Sequence, residues 1–134
     1  MSINYRVTPM RDNINKKPRE AYYAQVVTKG TIDTHTLCKE IASSCTLTLS
    51  DMTGAITALV EKMEQALLNG YNVYIDGLGT FSISAESPLV EHESELRPAD
   101  IKVKNIHYRA AVPLKHAMKE SSFACVKTHK KIMK

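Results

Sequence analysis

This chain has no tryptophan, only two phenylalanines and three cysteines, and no apolar run long enough to cross a bilayer. Each scarcity removes a class of protein. With 134 residues, 43% of them hydrophobic, the composition is that of one folded domain, but so few large aromatics leave it a modest core. A small domain of that kind is a candidate for completing its core across a dimer interface. Cys38, Cys45 and Cys125 leave one thiol unpaired in any monomer, which argues against a disulfide framework. The simple reading is buried, reduced thiols acting as small apolar side chains. Residues 1–29 are polar and charged and contain no signal-like hydrophobic segment. The expectation is a soluble, cytoplasmic protein without a membrane partner.

Constellations that carry chemistry are equally sparse. Gly77-x-Gly79 has no third glycine opening a helix, so it fails as a dinucleotide fingerprint, and no P-loop is present. His35-x-x-Cys38 and Cys125-x-x-x-His129 each have the spacing of half a zinc site, but neither has a second pair at a suitable distance in the chain. Glu91, Glu93 and Glu95 alternate as on a solvated edge. Neither catalysis, a metal, a cofactor nor a small-molecule substrate is expected.

Charge, by contrast, is strongly segregated. Residues 1–30 carry six basic and two acidic groups, and residues 31–84 two and six. Residues 85–100 carry Arg97 against five carboxylates, and residues 101–134 nine basic groups against one acidic. A basic C-terminal quarter, net +8 on that count, points to a directional contact with a polyanion.

Along the chain, Tyr5 and Val7 alternate as in a short strand, and a loop follows through residues 13–19. Residues 21–28, rich in aromatic and β-branched side chains, read as a second strand. Asp33 suits the N-cap of a helix over residues 34–43, with Leu37, Cys38 and Ile41 facing inward. Ser50 is the expected cap of a longer helix over residues 51–69. Met52, Ile56, Leu59, Val60, Met63 and Leu67 make one buried stripe on it, and Gly70 ends it. A strand at 71–75 turns through Gly77-Leu78-Gly79 into a strand at 80–85 with Phe81 and Ile83 on one face. The polar segment 86–100 precedes a third strand at 101–109, whose alternation slips near Asn105 as at a bulge. Pro113 fits the first turn of a last helix over 113–121, with Phe123 docking its end. A basic tail follows. A helix leading into a hairpin without a crossover helix makes the fold class α+β.

The order helix, longer helix, hairpin, arm, third strand, short helix resembles the HU/IHF-type histone-like DNA-binding proteins. The segments LTLSDMTGAITALVEKMEQALLNGYNVYIDGLGTFSIS and NIHYRAAVPLKHAMKE carry the likeness, which spans residues 31–123. Tyr5-x-Val7-x-Pro9 and YYAQVVTKGTID are similar to the variant found in Bacteroidetes, which has an extra N-terminal strand region. The resemblance implies an N-terminal extension (1–30), an HU-like domain (31–123) with an arm at about 86–100, and a basic tail (124–134). It implies an intertwined homodimer whose sheets form a basic saddle for duplex DNA in the bacterial nucleoid, with little sequence preference. On that likeness Arg109 and Lys115 occupy positions that are basic in the family. Lys102, Lys104, Lys119 and Arg97, with the backbone amides at Gly79 and Thr80, complete the expected DNA contacts.

The arm departs from the family pattern. Ordinary family arms are basic and carry an Asn-Pro tip that wedges between base pairs. Here there is no Asn-Pro, and the carboxylates surround Pro88 and Pro98, either of which is left as the wedge. Weaker, less bent or differently oriented DNA binding is expected. A protein-interaction or scaffold module of HU fold is the second reading, and an acidic arm that covers its own saddle the third.

Overall fold

The computed structural model describes residues 1–10 and 21–126. The expected loop at 13–19, the basic tail beyond residue 126 and the Cys125–His129 spacing therefore lie wholly or partly outside the described residues. The chain divides into two compact units, residues 1–32 with 118–134, and residues 33–117. The described residues form a mixed α+β fold with three helices and two small sheets.

The first unit holds a three-stranded sheet. Strand β1 (Ile3–Pro9) pairs antiparallel with β2 (Tyr22–Val27), placing Tyr5 opposite Val26 and Val7 opposite Ala24. Partners across a ladder share a face. Tyr5, Val7, Ala24 and Val26 therefore stand on one side, and Arg6, Thr8 and Gln25 on the other. There Gln25 Oε1 accepts hydrogen bonds from Arg6 Nη2 and Thr8 Oγ1, both at 3.1 Å.

The third strand of this sheet was not foreseen. Phe123, expected to dock against the last helix, instead opens a strand (Phe123–Cys125, β6 in chain order) that runs parallel to β1, with Ile3 opposite Phe123 and Tyr5 opposite Cys125. Main-chain bonds hold it: Ile3 N–H donates to Ser122 O, and Val126 N–H to Tyr5 O, each at 2.8 Å. A three-residue strand is too short to show a period of two, so no pattern in the sequence marks it. The Phe123 ring meets Tyr5 edge-on at 6.4 Å between centroids. The expected boundary after residue 123 falls inside this strand.

The second unit begins with α1 (Thr34–Ser43), where Asp33 Oδ1 accepts from Thr36 N–H at 2.9 Å. That bond holds the Asp33 carboxyl below its ordinary pKa. Helix α2 (Leu49–Leu68) is capped by Thr48, not Ser50. Thr48 is extended and its hydroxyl accepts from Asp51 N–H at 3.1 Å, which starts the helix earlier and puts Ser50 inside its first turn. At the other end Gly70 has φ +87°, and Gly70 N–H and Tyr71 N–H donate to Leu67 O and Ala66 O. That pair of bonds is the glycine-dependent Schellman stop.

A second three-stranded sheet follows, in the order β3 (Val73–Ile75), β4 (Gly79–Glu86), β5 (Lys102–Ala110). Helix α3 (Val112–Lys119) leaves directly from β5. Residues 87–101 contain only two short 3₁₀ turns, Glu93–Glu95 and Pro98–Asp100.

The core is thinner than the sequence stripes imply. Among the described apolar residues only Cys38 and Ala111 are buried. Leu37 and Ile41, expected to face inward with Cys38, are exposed, as are Leu59 and Val60 of the long stripe. Met52, Ile56, Met63 and Leu67 are half-buried. Cys45 and Cys125 are exposed, so the expectation of three buried thiols holds only for Cys38. The physical reason is the small number of elements within this unit: among the described residues α1 packs on α2 and β3 touches it, and the rest of the stripe is left partly open. Among the described residues no helix is long and apolar enough to cross a membrane.

Candidate nucleic-acid interface

The sheet of the second unit has two chemically distinct faces, and its register defines them. Val73 pairs with Phe81 and Phe81 with Tyr108, Ile83 with Ile106, and Ala85 with Val103. These make the apolar face. Tyr74 pairs with Thr80 and Thr80 with Arg109, Ser82 with His107, Ser84 with Asn105, and Glu86 with Lys102. These make the polar face.

One irregularity keeps the faces pure. Ser84 lies opposite Asn105 but Ala85 lies opposite Val103, so Lys104 is an extra residue with no partner on β4. Without that bulge, strict alternation from Ile106 would put Lys102 and Lys104 on the apolar side and Val103 on the polar side. The bulge returns Val103 to the apolar face and carries Lys102 to the same face as Arg109. The slip read near Asn105 is this bulge, at Lys104.

The turn before β4 sets the geometry. Leu78 N–H donates to Ile75 O at 3.0 Å, with Gly77 at φ +79° in the third position of the turn. Tyr108 Oη donates to Leu78 O at 2.6 Å, and the Tyr108 ring lies 5.1 Å from that of Phe81. The Gly79–Thr80 backbone is thus fixed at the end of the sheet.

Of the residues singled out in the sequence, Thr80, Lys102 and Arg109 share the polar face. Lys104 is the bulge residue and Gly79 the entry to β4. Arg97 stands in the arm between its two 3₁₀ turns, and Lys115 and Lys119 lie on α3; all three are exposed. Sequence reasoning overlooked Ser82, Ser84 and Asn105, which share the polar face with Thr80 and His107. The signal was available in the alternation of GTFSIS, where every second residue carries a hydroxyl. His107 Nε2 and Ser84 Oγ are 2.9 Å apart, a hydrogen bond lying on this face.

The opposite, apolar face looks toward α2 across an open groove of about 620 Å³, lined by Val60, Met63, Glu64, Leu67, Leu68, Phe81, Ile83, Val103 and Ile106. Apolar walls this open are out of place on an isolated chain. The arm lies at the far end of the sheet, where Glu86 and Asp100 stand around Lys102. Every arm residue from 87 to 100 is exposed. Among the described residues no three His, Cys, Asp or Glu side chains gather as metal ligands.

A family model described as "HU domain fused to wHTH, Ig, or Glycine-rich motif" matches residues 1–124. Among solved structures, the chain is similar to a candidate bacterial DNA-binding protein from Bacteroides vulgatus, with a TM-score of 0.68 and 17% identity. That likeness covers 93% of this chain and 48% of the other, so this chain spans about half the length of its structural neighbour. At that identity the likeness concerns the fold. No curated protein matches the chain.

Proposed function

This chain belongs to the HU-HIG family, and from that premise we propose that it is a non-enzymatic, histone-like protein that binds duplex DNA as a homodimer, with little sequence preference, in the bacterial nucleoid. The observation that carries the reading is the division of the second sheet into an apolar and a polar face. The polar face offers Arg109, Lys102, three hydroxyls, Asn105 and His107 to a phosphate backbone. Such groups attract phosphates by charge and hydrogen bonding without reading bases. Lys104, Lys115, Lys119, Arg97 and the Gly79–Thr80 amides are proposed as further contacts. Shape and deformability of the duplex supply what preference there is.

Support for the dimer comes from the apolar face. The groove between α2 and the sheet, and the exposed side chains of Val60, Leu68, Val103 and Ile106, are the half-built core that an intertwined partner would complete. A two-layer domain with so few buried residues is marginal alone.

The test is duplex binding followed by fluorescence anisotropy, repeated from about 50 to 200 mM salt, the range over which phosphate binding weakens most visibly. Affinity should fall steeply with salt and be similar for unrelated sequences. Absence of binding at low salt overturns the DNA reading. It would favour the second one, an HU-fold scaffold, for which the specific observation is the exposed arm with its five carboxylates, Glu86, Glu91, Glu93, Glu95 and Asp100.

A further inference from the structure

Among the described residues the two sheets end in four edge strands, β2 and β6 in one and β3 and β5 in the other. Three of these edges are guarded. β3 and β6 are only three residues long, and β5 carries Lys102, Lys104 and Arg109 with a bulge at Lys104. Short strands, cations and bulges keep a sheet edge from recruiting another strand. β2 has none of them. Its six residues, Tyr22–Val27, include no charge, no proline and no bulge, and all but Val27 are exposed. We propose that this edge is an interaction surface for a second copy of the chain, the two β2 strands pairing antiparallel about a twofold axis at Ala24.

The neighbours of β2 fix which of its main-chain groups are free. Met10 N–H donates to Ala21 O at 2.8 Å, while Ile3 N–H and Tyr5 O bond to the β6 side of β1. Even-numbered residues of β1 therefore bond toward β2, where they meet Tyr23, Gln25 and Val27. Alternation along an antiparallel ladder then turns the N–H and C=O groups of Tyr22, Ala24 and Val26 outward, to the open edge. Pro9, which has no N–H, sits opposite Tyr22, a position where no bond to β2 is needed. Among the described residues those outward groups have no main-chain partner.

The strand is complementary to itself in one register. With Ala24 opposite Ala24 of the second copy, Tyr22 lies opposite the second copy's Val26. Every outward residue then meets an outward residue, in three pairs that each exchange two main-chain bonds. A slip of one residue sets outward groups against inward ones and mixes the faces. A slip of two leaves an outward residue of each strand without a strand partner. The side chains agree with the same register. On one face Tyr5 and Val26 continue into the second copy's Tyr22 and Pro9, and Val7 and Ala24 into their own counterparts, all apolar or aromatic. On the other face Arg6 and Gln25 continue into the second copy's Tyr23 and Thr8. No charge of β2 opposes itself, so nothing in the strand repels its copy. This contact is separate from the groove of the second unit; where that groove holds a dimer, pairing at β2 joins dimers to one another.

The experiment is sedimentation equilibrium of the full chain without DNA, from micromolar to submillimolar concentration, for the wild type, Ala24→Pro, Ala24→Lys and Ala24→Glu. Circular dichroism checks that each variant keeps its fold. Proline at an outward N–H leaves the ladder to β1 intact and removes the donor at the axis. The wild type should form a heavier species than Ala24→Pro, whose association should be weaker by about tenfold or more, the scale of two lost main-chain bonds. Because residue 24 meets itself, Ala24→Lys and Ala24→Glu should each associate weakly alone. An equal mixture of the two should associate roughly two- to fivefold more tightly than either. The same exchange at Val26, which meets Tyr22 and not itself, should give no such recovery. Should Ala24→Pro unfold, the Ala24→Lys and Ala24→Glu pair carries the test. Equal masses for the wild type and the folded variants at every concentration overturn the proposal, whether the common species is a monomer or the groove dimer. So does a mixture of Ala24→Lys and Ala24→Glu that associates no better than either alone.

Discussion

Gly79 lies so close against the backbone carbonyl of Arg109 that no side chain fits between them. A Cβ built on Gly79 would overlap the Arg109 carbonyl and touch the Tyr108 ring, and its φ of +141° is one that other residues rarely adopt. This approach seats the start of β4 on the end of β5, and so sets the register that sorts the two faces of the sheet.

Gly79→Ala should therefore cost on the order of 3 kcal/mol or more, the combined effect of strain and a backbone clash. Thermal or urea unfolding of the purified variant checks it. Gly54, whose added Cβ meets nothing within 4 Å, provides the contrast: Gly54→Ala in the second turn of α2 should be neutral or stabilising. Should Gly54→Ala prove destabilising, a partner chain packs against that point.

Ile106 separates monomer from dimer. It is 66% exposed in the single chain, and a substitution there in a true monomer should stay within about 0.5 kcal/mol. If a second copy fills the groove, Ile106→Ala should cost about 2–4 kcal/mol, as in a packed core. Ile106→Glu should also lower the mass measured by light scattering from dimer to monomer, or prevent folding at working concentrations.

Arg109→Ala should weaken DNA binding at all sequences alike. It should also reduce the slope of log affinity against log salt by about 0.9 for each phosphate it leaves without a cation. Lys102→Ala should do less, because Glu86 and Asp100 already offset that charge.

Removing residues 90–96 takes away Glu91, Glu93 and Glu95. If the arm shields the saddle, the deletion should tighten DNA binding, most of all at low salt where repulsion is least screened. Unchanged affinity across the salt range removes the idea of a self-covering arm.

Asp33 makes a pH-dependent contribution to stability. The Thr36 backbone amide holds its carboxyl low in the folded state, so the cap contributes fully above the ordinary carboxylate range. The contribution disappears as the pH falls through the depressed folded value. Asp33→Ala should lower Tm at pH 7 relative to the wild type. The gap should close in acid below about pH 4, while Asp33→Asn should keep the cap without that loss.

The elements that carry a local signal were legible. Asp33 capping α1, Gly70 stopping α2 and the Gly77-Leu78-Gly79 turn each follow from backbone chemistry within four or five residues. The slip near Asn105 announced the bulge because alternation is a local property of a strand. The Thr48 cap was missed by two residues, since Thr48 and Ser50 are equally good acceptors and only the extended backbone at Thr48 distinguishes them. The strand at Phe123–Cys125 was not legible at all, because its parallel partner, Ile3–Tyr5, lies at the other end of the chain.

The sequence by itself determined the helices, the hairpin, the charge separation and, through ordered motifs, the family, because each depends on spacing along the chain. Tertiary structure alone decided which side chains share a surface. Whether Lys102 joins Arg109 or Val103 depends on one unpaired residue at Lys104. Whether the α2 stripe is buried depends on what is laid against it, and among the described residues Met52, Ile56, Met63 and Leu67 are only half covered while Leu59 and Val60 are exposed. Pairing and packing join residues far apart in sequence, and no local pattern encodes which partner arrives.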